Sequence, residues 1–310
     1  MPEPKISAVI CTHNRDGYLG EAIDSLLAQE FEDFEIIVVD NASTDQTRQV
    51  VETRRPNPRL RYIYEENLGL NFARNRGVKE SNAAIIAYLD DDAIATPTWL
   101  QHIYAVYQND AAVGAAGGKI DLRWPQNLHP PAWLSKNLAG NLGDYDLGDQ
   151  LHYIDHPGLT PRGLNYSLRR SVWEQVGGFD LKLDRSGSQK LLSNGDLYMT
   201  QRIMECGWKV AYLPEAVVAH QVFANRVNKR WFLNRGWWQG ISEYYREELS
   251  GETGSGRISR GGERFLRGLV KYIKNVNHPD RRFENLVYAY GQLGYLTYLV
   301  KGMFVPEKDL

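Results

Sequence analysis

Short apolar runs alternate with amphipathic stretches through the first third of the chain. Residues 5–11 (KISAVIC), 34–40 (FEIIVVD), 60–65 (LRYIYE) and 83–90 (AAIIAYLD) read as buried strands. Between them, 17–30 sets Leu19, Ala22, Ile23, Leu26 and Leu27 at helical spacing, 44–55 reads as a polar-faced helix, and 69–81 reads as a helix with an irregular start. Pro97 suits the first turn of the next helix. Strands apolar throughout, alternating with helices, predict an α/β domain whose mostly parallel sheet is covered on both faces. Ligands in such sheets bind at the carboxyl ends of the strands.

The rhythm breaks at 121–162, which is rich in Pro, Gly, Asn and aromatics without a clear period. Irregular stretches of this length are functional or disordered. Trp124, Trp133 and Tyr153 argue for order, so the stretch is expected as a wall over a site. From 163 the pattern resumes as strand, helix and a Gly177–Gly178 turn. Residues 194–208 read as an amphipathic helix ended by Gly207, and 209–221 as two short strands around Pro214, finishing at His220.

After about 222 the composition changes. Thirteen Lys/Arg stand against six Asp/Glu between 221 and 282, and 250–262 (SGETGSGRISRGG) reads as a flexible loop between aromatic-rich helices. The boundary therefore falls between an α/β domain at 1–222 and a helical region at 223–310. A helical appendage packing its aromatics on a core is the simpler reading of that region. Peripheral contact with an anionic membrane is the alternative.

With 310 residues, 43% hydrophobic and 24% charged, the chain has material for a large core. A formal net charge of −2 argues against a nucleic-acid partner. Two distant cysteines, Cys11 and Cys206, make neither a metal motif nor a disulfide framework and suggest a reducing, cytoplasmic setting. The first residues lack the apolar run of a signal peptide, and no stretch has the length of a membrane span.

Polar residues gather at the predicted strand ends: Thr12, Asn14 and Arg15 after the first, Asp40, Asn41, Ser43 and Asp45 after the second, Asp90, Asp91 and Asp92 after the fourth. Ser43–Asp45 also suits a helix cap. Three clustered carboxylates are hard oxygen ligands, suited to Mg²⁺ or Mn²⁺ together with phosphate oxygens. In an extended segment Asp90 and Asp92 point to one side and Asp91 to the other. A solvated acidic turn is the alternative.

The combination SAVICTHNR, LLAQEFEDFEIIVVDNASTDQT, NLGLNFARNRGV, IIAYLDDDAIATPTWL, GGFD and NGDLYMTQRIMECGWKVAYLPEAVVAH resembles the family-2 glycosyltransferases of GT-A fold, over about residues 5–222. That resemblance implies an inverting transferase that takes a sugar from a nucleotide-sugar donor, UDP-linked for preference. The acceptor it implies is a hydroxyl of a saccharide or lipid-linked molecule, as in cell-surface or extracellular polysaccharide biosynthesis. It implies that Thr12, Asn14, Arg15, Asp40, Asn41, Ser43, Arg74, Asp90 and Asp91 line the nucleotide site, with Asp40 on the base. Asp90 and Asp92 match the DXD pair that holds Mn²⁺ or Mg²⁺, and His220 a histidine that completes the metal shell in some relatives. Asp196 matches the catalytic base, although an aspartate in the first turn of a helix is also favoured by the macrodipole.

Two positions depart from the pattern. Ala93 stands where relatives often carry a fourth aspartate, and Gly195 where a glutamate precedes the base. These departures are the support for the alternative of a non-catalytic GT-A-fold binding module. A nucleotidyltransferase is a second alternative, but CTHNRDGYLG is a poor Gly-rich phosphate loop.

Overall fold

A computed structural model describes residues 3–184, 191–252, 254 and 256–304. By their contacts the chain forms two compact units. The first is Met1–Arg123 with Gly143–Gly187 and Gly195–Gln221, and the second is Trp124–Leu142 with Ser188–Asn194 and Val222–Leu310.

The first unit is built on a mixed, mostly parallel sheet. Its strands β1 (Ile6–Thr12), β2 (Phe34–Asn41), β3 (Leu60–Glu65) and β4 (Ile85–Leu89) run parallel in the order β3-β2-β1-β4. β2 and β4 are buried along their whole length, as their uninterrupted Ile and Val runs require. Helix α1 (Asp16–Leu27) buries Leu19, Ala22, Ile23 and Leu26, a stripe of period 3.6. Helix α2 covers only Thr47–Glu52, because Asp45 accepts the Thr47 N–H and makes the start a turn. Helix α3 (Leu70–Glu80) is poor in apolar residues and is held by position instead. A Cβ at Gly77 would fall 2.5 Å from Val9, so glycine lets the helix lie close on β1. The Asp184 carboxylate accepts from the Asn71 and Phe72 N–H groups and caps the first turn.

Beyond β4 the sheet turns mixed through β5 (Ala93–Ala95), β6 (Val113–Arg123), β7 (His152–Tyr153), β8 (Asn165–Arg169) and β9 (Lys209–Gln221). The order continues β4-β8-β6-β9-β5, with β7 beside β9. β8 is antiparallel to both neighbours, while β6 and β9 are parallel. The two short strands expected around Pro214 are a single strand. Leu213 pairs with Gly118 and Val218 with Ile120, so the intervening residues bulge out of the ladder and Pro214 needs no partner there. Gly118 faces the bulge, where a Cβ would overlap the Ala216 carbonyl.

Helices α4 (Trp99–Asn109), α6 (Arg170–Val176) and α7 (Gly195–Glu205) flank this part, with a short α5 (Lys136–Ala139) in the second unit. The rest of the second unit is α8 (Lys229–Leu249), α9 (Gly256–Lys274) and α10 (Pro279–Phe304). Residues 124–142 pack with these helices: Trp133 meets Phe232 and Phe283 edge-on at 5.3 and 5.0 Å. The stretch expected as one wall is thus divided, its 143–162 part belonging to the first unit. The expected 250–262 loop is shorter than its glycines suggested. Residues 256–262 are helical, and Gly261 is used for close packing: a Cβ there would fall 2.7 Å from Leu296 on α10. Thr253 and Ser255 of that loop lie outside the described residues. No helix among the described residues is long and apolar enough to cross a membrane.

Candidate functional site

The ends of β1 and β2 are knitted together. Asn14, at a left-handed φ of 53° that asparagine tolerates, donates its N–H to Ser43 Oγ at 2.9 Å and accepts the Thr44 N–H at 2.7 Å. His13 Nδ1 lies 2.7 Å from the Asn41 carbonyl. Asp40 is buried, and its oxygens accept the Ser43 N–H at 3.0 Å and the Tyr62 O–H at 2.6 Å. Asn41 spans to the next strand: its amide donates to the Asn67 carbonyl and its oxygen accepts the Gly69 N–H. Asp40, Asn41 and Ser43 lie together at this strand end, where the Asn41 side chain also holds the loop before α3.

The acidic triplet lies in a turn between β4 and β5, closed by the Ala93 N–H on the Asp90 carbonyl at 3.1 Å. The alternation expected of an extended segment therefore does not apply. Asp91 is buried, in the neighbourhood of Thr12, Arg15, Asp92 and Asp90. Burial, then the Asp92 charge, push its carboxyl well above the usual range, and Thr12 and Arg15 offset only part of this.

Asp92 is buried beside His220, whose Nε2 lies 3.2 Å from Asp92 Oδ1. Their meeting follows from the ladder: Ala93 pairs with His220 across β5 and β9, and Gln221 N–H donates to the Asp92 carbonyl. Arg15 reaches the other Asp92 oxygen at 3.8 Å. Gly143, at φ +105°, closes over the imidazole, where a Cβ would fall 2.8 Å from His220 Nδ1. Among the described residues no three His, Cys, Asp or Glu side chains form a ready metal-ligand group.

Arg74 is buried on α3, its guanidinium 5.2 Å from the Phe179 ring centroid and 6.0 Å from that of Tyr88. It also lies against Gly163, where a Cβ would fall 2.2 Å from its terminal nitrogen. The Gly163 N–H donates to Asp196 Oδ2 at 2.8 Å, so the 163 backbone links Arg74 to Asp196. Asp196 Oδ1 accepts the Leu197 N–H at 2.9 Å in the first turn of α7. The unusual Gly195 has a packing reason: a Cβ would come 3.0 Å from the Asn71 amide, which is itself tied to the Asp180 carbonyl.

Sequence reasoning missed Tyr62, Gly143 and Gly163. Tyr62 is legible only in part: alternation puts both Tyr62 and Tyr64 on the face of Asp40, and it is the diagonal Tyr62, not Tyr64 opposite, that bonds it. The two glycines gave no signal, because each acts through a contact with a residue distant in sequence.

The profile described as Glycosyl transferase family 2 matches residues 7–165. The chain belongs to glycosyl transferase family 2. The family-2 chain is 25% identical over 275 residues to the glucosyl-dolichyl phosphate glucuronosyltransferase of Haloferax volcanii, covering 88% of this chain and 87% of that one. It is 36% identical over 199 residues to the validoxylamine A glucosyltransferase of Streptomyces hygroscopicus subsp. limoneus, covering 57% of this chain and 44% of that one. In fold this glycosyltransferase is similar to the mannosyltransferase PcManGT of Pyrobaculum calidifontis, solved with GDP-Man and Mn²⁺. The TM-score is 0.59 at 17% identity, covering 97% of this chain and 75% of that one. It is also similar to S. aureus TarS 1–349, with a TM-score of 0.52 at 16% identity, covering 96% and 92%. The fold of this family-2 enzyme is GT-A, followed by C-terminal helices.

Proposed function

We propose that the protein is an inverting, metal-dependent transferase that moves a sugar from a nucleoside-diphosphate donor to a hydroxyl of a saccharide or lipid-linked acceptor. The observation that carries this reading is the meeting of Asp92 and His220, 128 positions apart in sequence, beside the crowded Asp91. One oxygen and one nitrogen ligand leave most of an octahedral shell to water and phosphate, the arrangement Mg²⁺ and Mn²⁺ favour. Residues and metal fit in this sense: like charge already strains the turn, and a cation would relieve it. Asp92 and His220 would hold Mn²⁺ or Mg²⁺, with Asp90 as the third residue that the family resemblance implies, and the ion would supply positive charge for the departing diphosphate.

The chain's own residues account for the remaining work. Asp40, with Tyr62 and the Asn14–Ser43 loop pair, offers a rigid carboxylate to a ring N–H of the base, which suits uracil and disfavours adenine and cytosine. Arg74 lends charge beneath the strand ends. Asp196 takes the proton from the acceptor hydroxyl as its oxygen attacks the anomeric carbon from the face opposite the diphosphate. Its two backbone N–H bonds fix the plane of the carboxylate for that transfer.

Similarity to the glucosyl-dolichyl phosphate glucuronosyltransferase of Haloferax supports a lipid-linked acceptor. Likeness in fold to PcManGT, which was solved with GDP-Man and Mn²⁺, supports a nucleotide-sugar donor and a divalent metal. The reading extends to polysaccharide biosynthesis at the cytoplasmic face of the plasma membrane. The test is release of nucleoside diphosphate from a panel of UDP- and GDP-sugars, with Mn²⁺ and with chelator. Metal-dependent release from at least one donor is expected. Binding without release, with or without added acceptor sugars and polyprenyl phosphates, would return the alternative of a binding module.

A further inference from the structure

Helix α9 is packed inside out. Its fully buried residues are small or charged. Arg257 is buried, with Nε 3.0 Å from Glu247 Oε2 and a second hydrogen bond to Tyr295 Oη, while Gly261 and Gly268 lie against Leu296 and Ala289 of α10. Three of its bulky aliphatic residues face outward instead: Leu266 is 61% exposed, Val270 49% and Ile273 71%. At 3.6 residues per turn these three fall on one stripe, spaced i, i+4 and i+7. Arg260, Arg267, Lys271 and Lys274 follow one another along its flank, all exposed. The helix has one acidic residue, Glu263, already paired with Arg267 at 2.6 Å. Arg260, Lys271 and Lys274 have no ion pair among the described residues.

We infer that this face of α9 docks on an anionic membrane surface, its aliphatic stripe entering the headgroup boundary and its basic flank meeting lipid phosphates. An exposed aliphatic stripe is costly in water, and burying it on another helix would be the default. Here glycine takes the inner face, and Leu, Val and Ile are reserved for the outside. Charge selects the occupant. A second copy docked by the same face would oppose two basic strips, whereas anionic lipid neutralises them. With six Lys/Arg in 19 residues, the helix suits lying in the interface and not crossing it. Membrane docking by α9 is independent of the transferase reading.

The experiment is flotation of the full chain with vesicles of phosphatidylcholine alone and of phosphatidylcholine with an equal part of phosphatidylglycerol, at low and high salt. Wild-type protein is expected to float with the anionic vesicles at low salt and to lose most of that binding in high salt. Lys271→Glu with Lys274→Glu is expected to weaken it by roughly 30-fold, since each basic side chain near the surface contributes about 1 kcal/mol. Leu266→Gln with Ile273→Gln is expected to weaken it as well, with unchanged far-UV circular dichroism and melting, because all four positions are exposed. No flotation of wild type at low salt would overturn the proposal, as would variants that float like wild type. A wild-type dimer that Leu266→Gln with Ile273→Gln splits, with no flotation, would assign the face to a second copy. Donor hydrolysis by the same variants in free solution reports separately on the transferase reading.

Discussion

Glu35 and Asp91 are both carboxylates buried at an edge of the same sheet, and their surroundings differ in kind. Glu35 lies at the amino end of β2. It accepts from the Ser7 hydroxyl and the Asn82 N–H, each at 2.7 Å, and from Arg61 at 2.8 Å. Burial works to raise its carboxyl, but these donors together hold it below the usual glutamate range. Asp91, in the turn after β4, is raised by burial and by Asp92 despite Thr12 and Arg15. At the first edge donors and a cation outweigh the cost of burial. At the second, burial and the neighbouring Asp92 outweigh what Thr12 and Arg15 supply to Asp91. A buried carboxylate whose donors outweigh its burial acts as a strut, whereas one pushed upward beside like charge suits the edge proposed to meet a ligand.

The sharpest extension of this contrast lies in Asp196, a carboxylate assigned to chemistry and held by backbone N–H groups. Asp196→Asn is expected to bind donor as the wild type does and to lose transfer by about 10²–10⁴-fold, read as product formed per enzyme. A fully active variant would remove it as the base. Gly143→Ala comes next. Its positive φ disfavours any side chain, and the added carbon meets His220. A loss of about 1–3 kcal/mol in stability is expected, together with weaker metal-dependent nucleotide binding. A variant that is destabilised yet binds Mn²⁺ and nucleotide normally would detach His220 from the site.

Glu35→Gln tests the other edge. It should cost about 1–3 kcal/mol in denaturant unfolding and leave nucleotide binding untouched. Because the folded carboxyl is depressed, its contribution is present above the ordinary glutamate value of about 4.3 and fades as pH falls below it. The melting difference between wild type and Glu35→Gln should therefore shrink in acid. A difference that grew instead would mean that Glu35 is not the partnered strut described.

Much of this was legible in the sequence. Uninterrupted apolar runs marked β1 to β4, and polar residues at their carboxyl ends marked the edge where Asp40, Asp91, Asp92 and Arg15 gather. The alternation argument for Asp90 and Asp92 failed because local turn closure, not strand geometry, governs residues 90–92. β6 went unread because its Ala- and Gly-rich run has little hydrophobic contrast, and Pro214 made one bulged strand look like two. Gly143 over His220, Gly163 against Arg74 and Asp184 on the start of α3 are contacts between distant positions, and no local pattern encodes them. The glycines of α9 resembled a loop because helix propensity was outweighed by close packing on α10.

The central claim is that the turn after β4, with His220, takes a divalent cation that holds a nucleoside diphosphate. Calorimetric titration of UDP, and of GDP, into wild type and Asp92→Ala, with and without Mn²⁺, addresses it directly. Wild type should bind at least one nucleotide more tightly with Mn²⁺ than without, and Asp92→Ala should lose that enhancement. Equal affinity with and without Mn²⁺ in wild type, or an enhancement that survives in Asp92→Ala, would contradict the account.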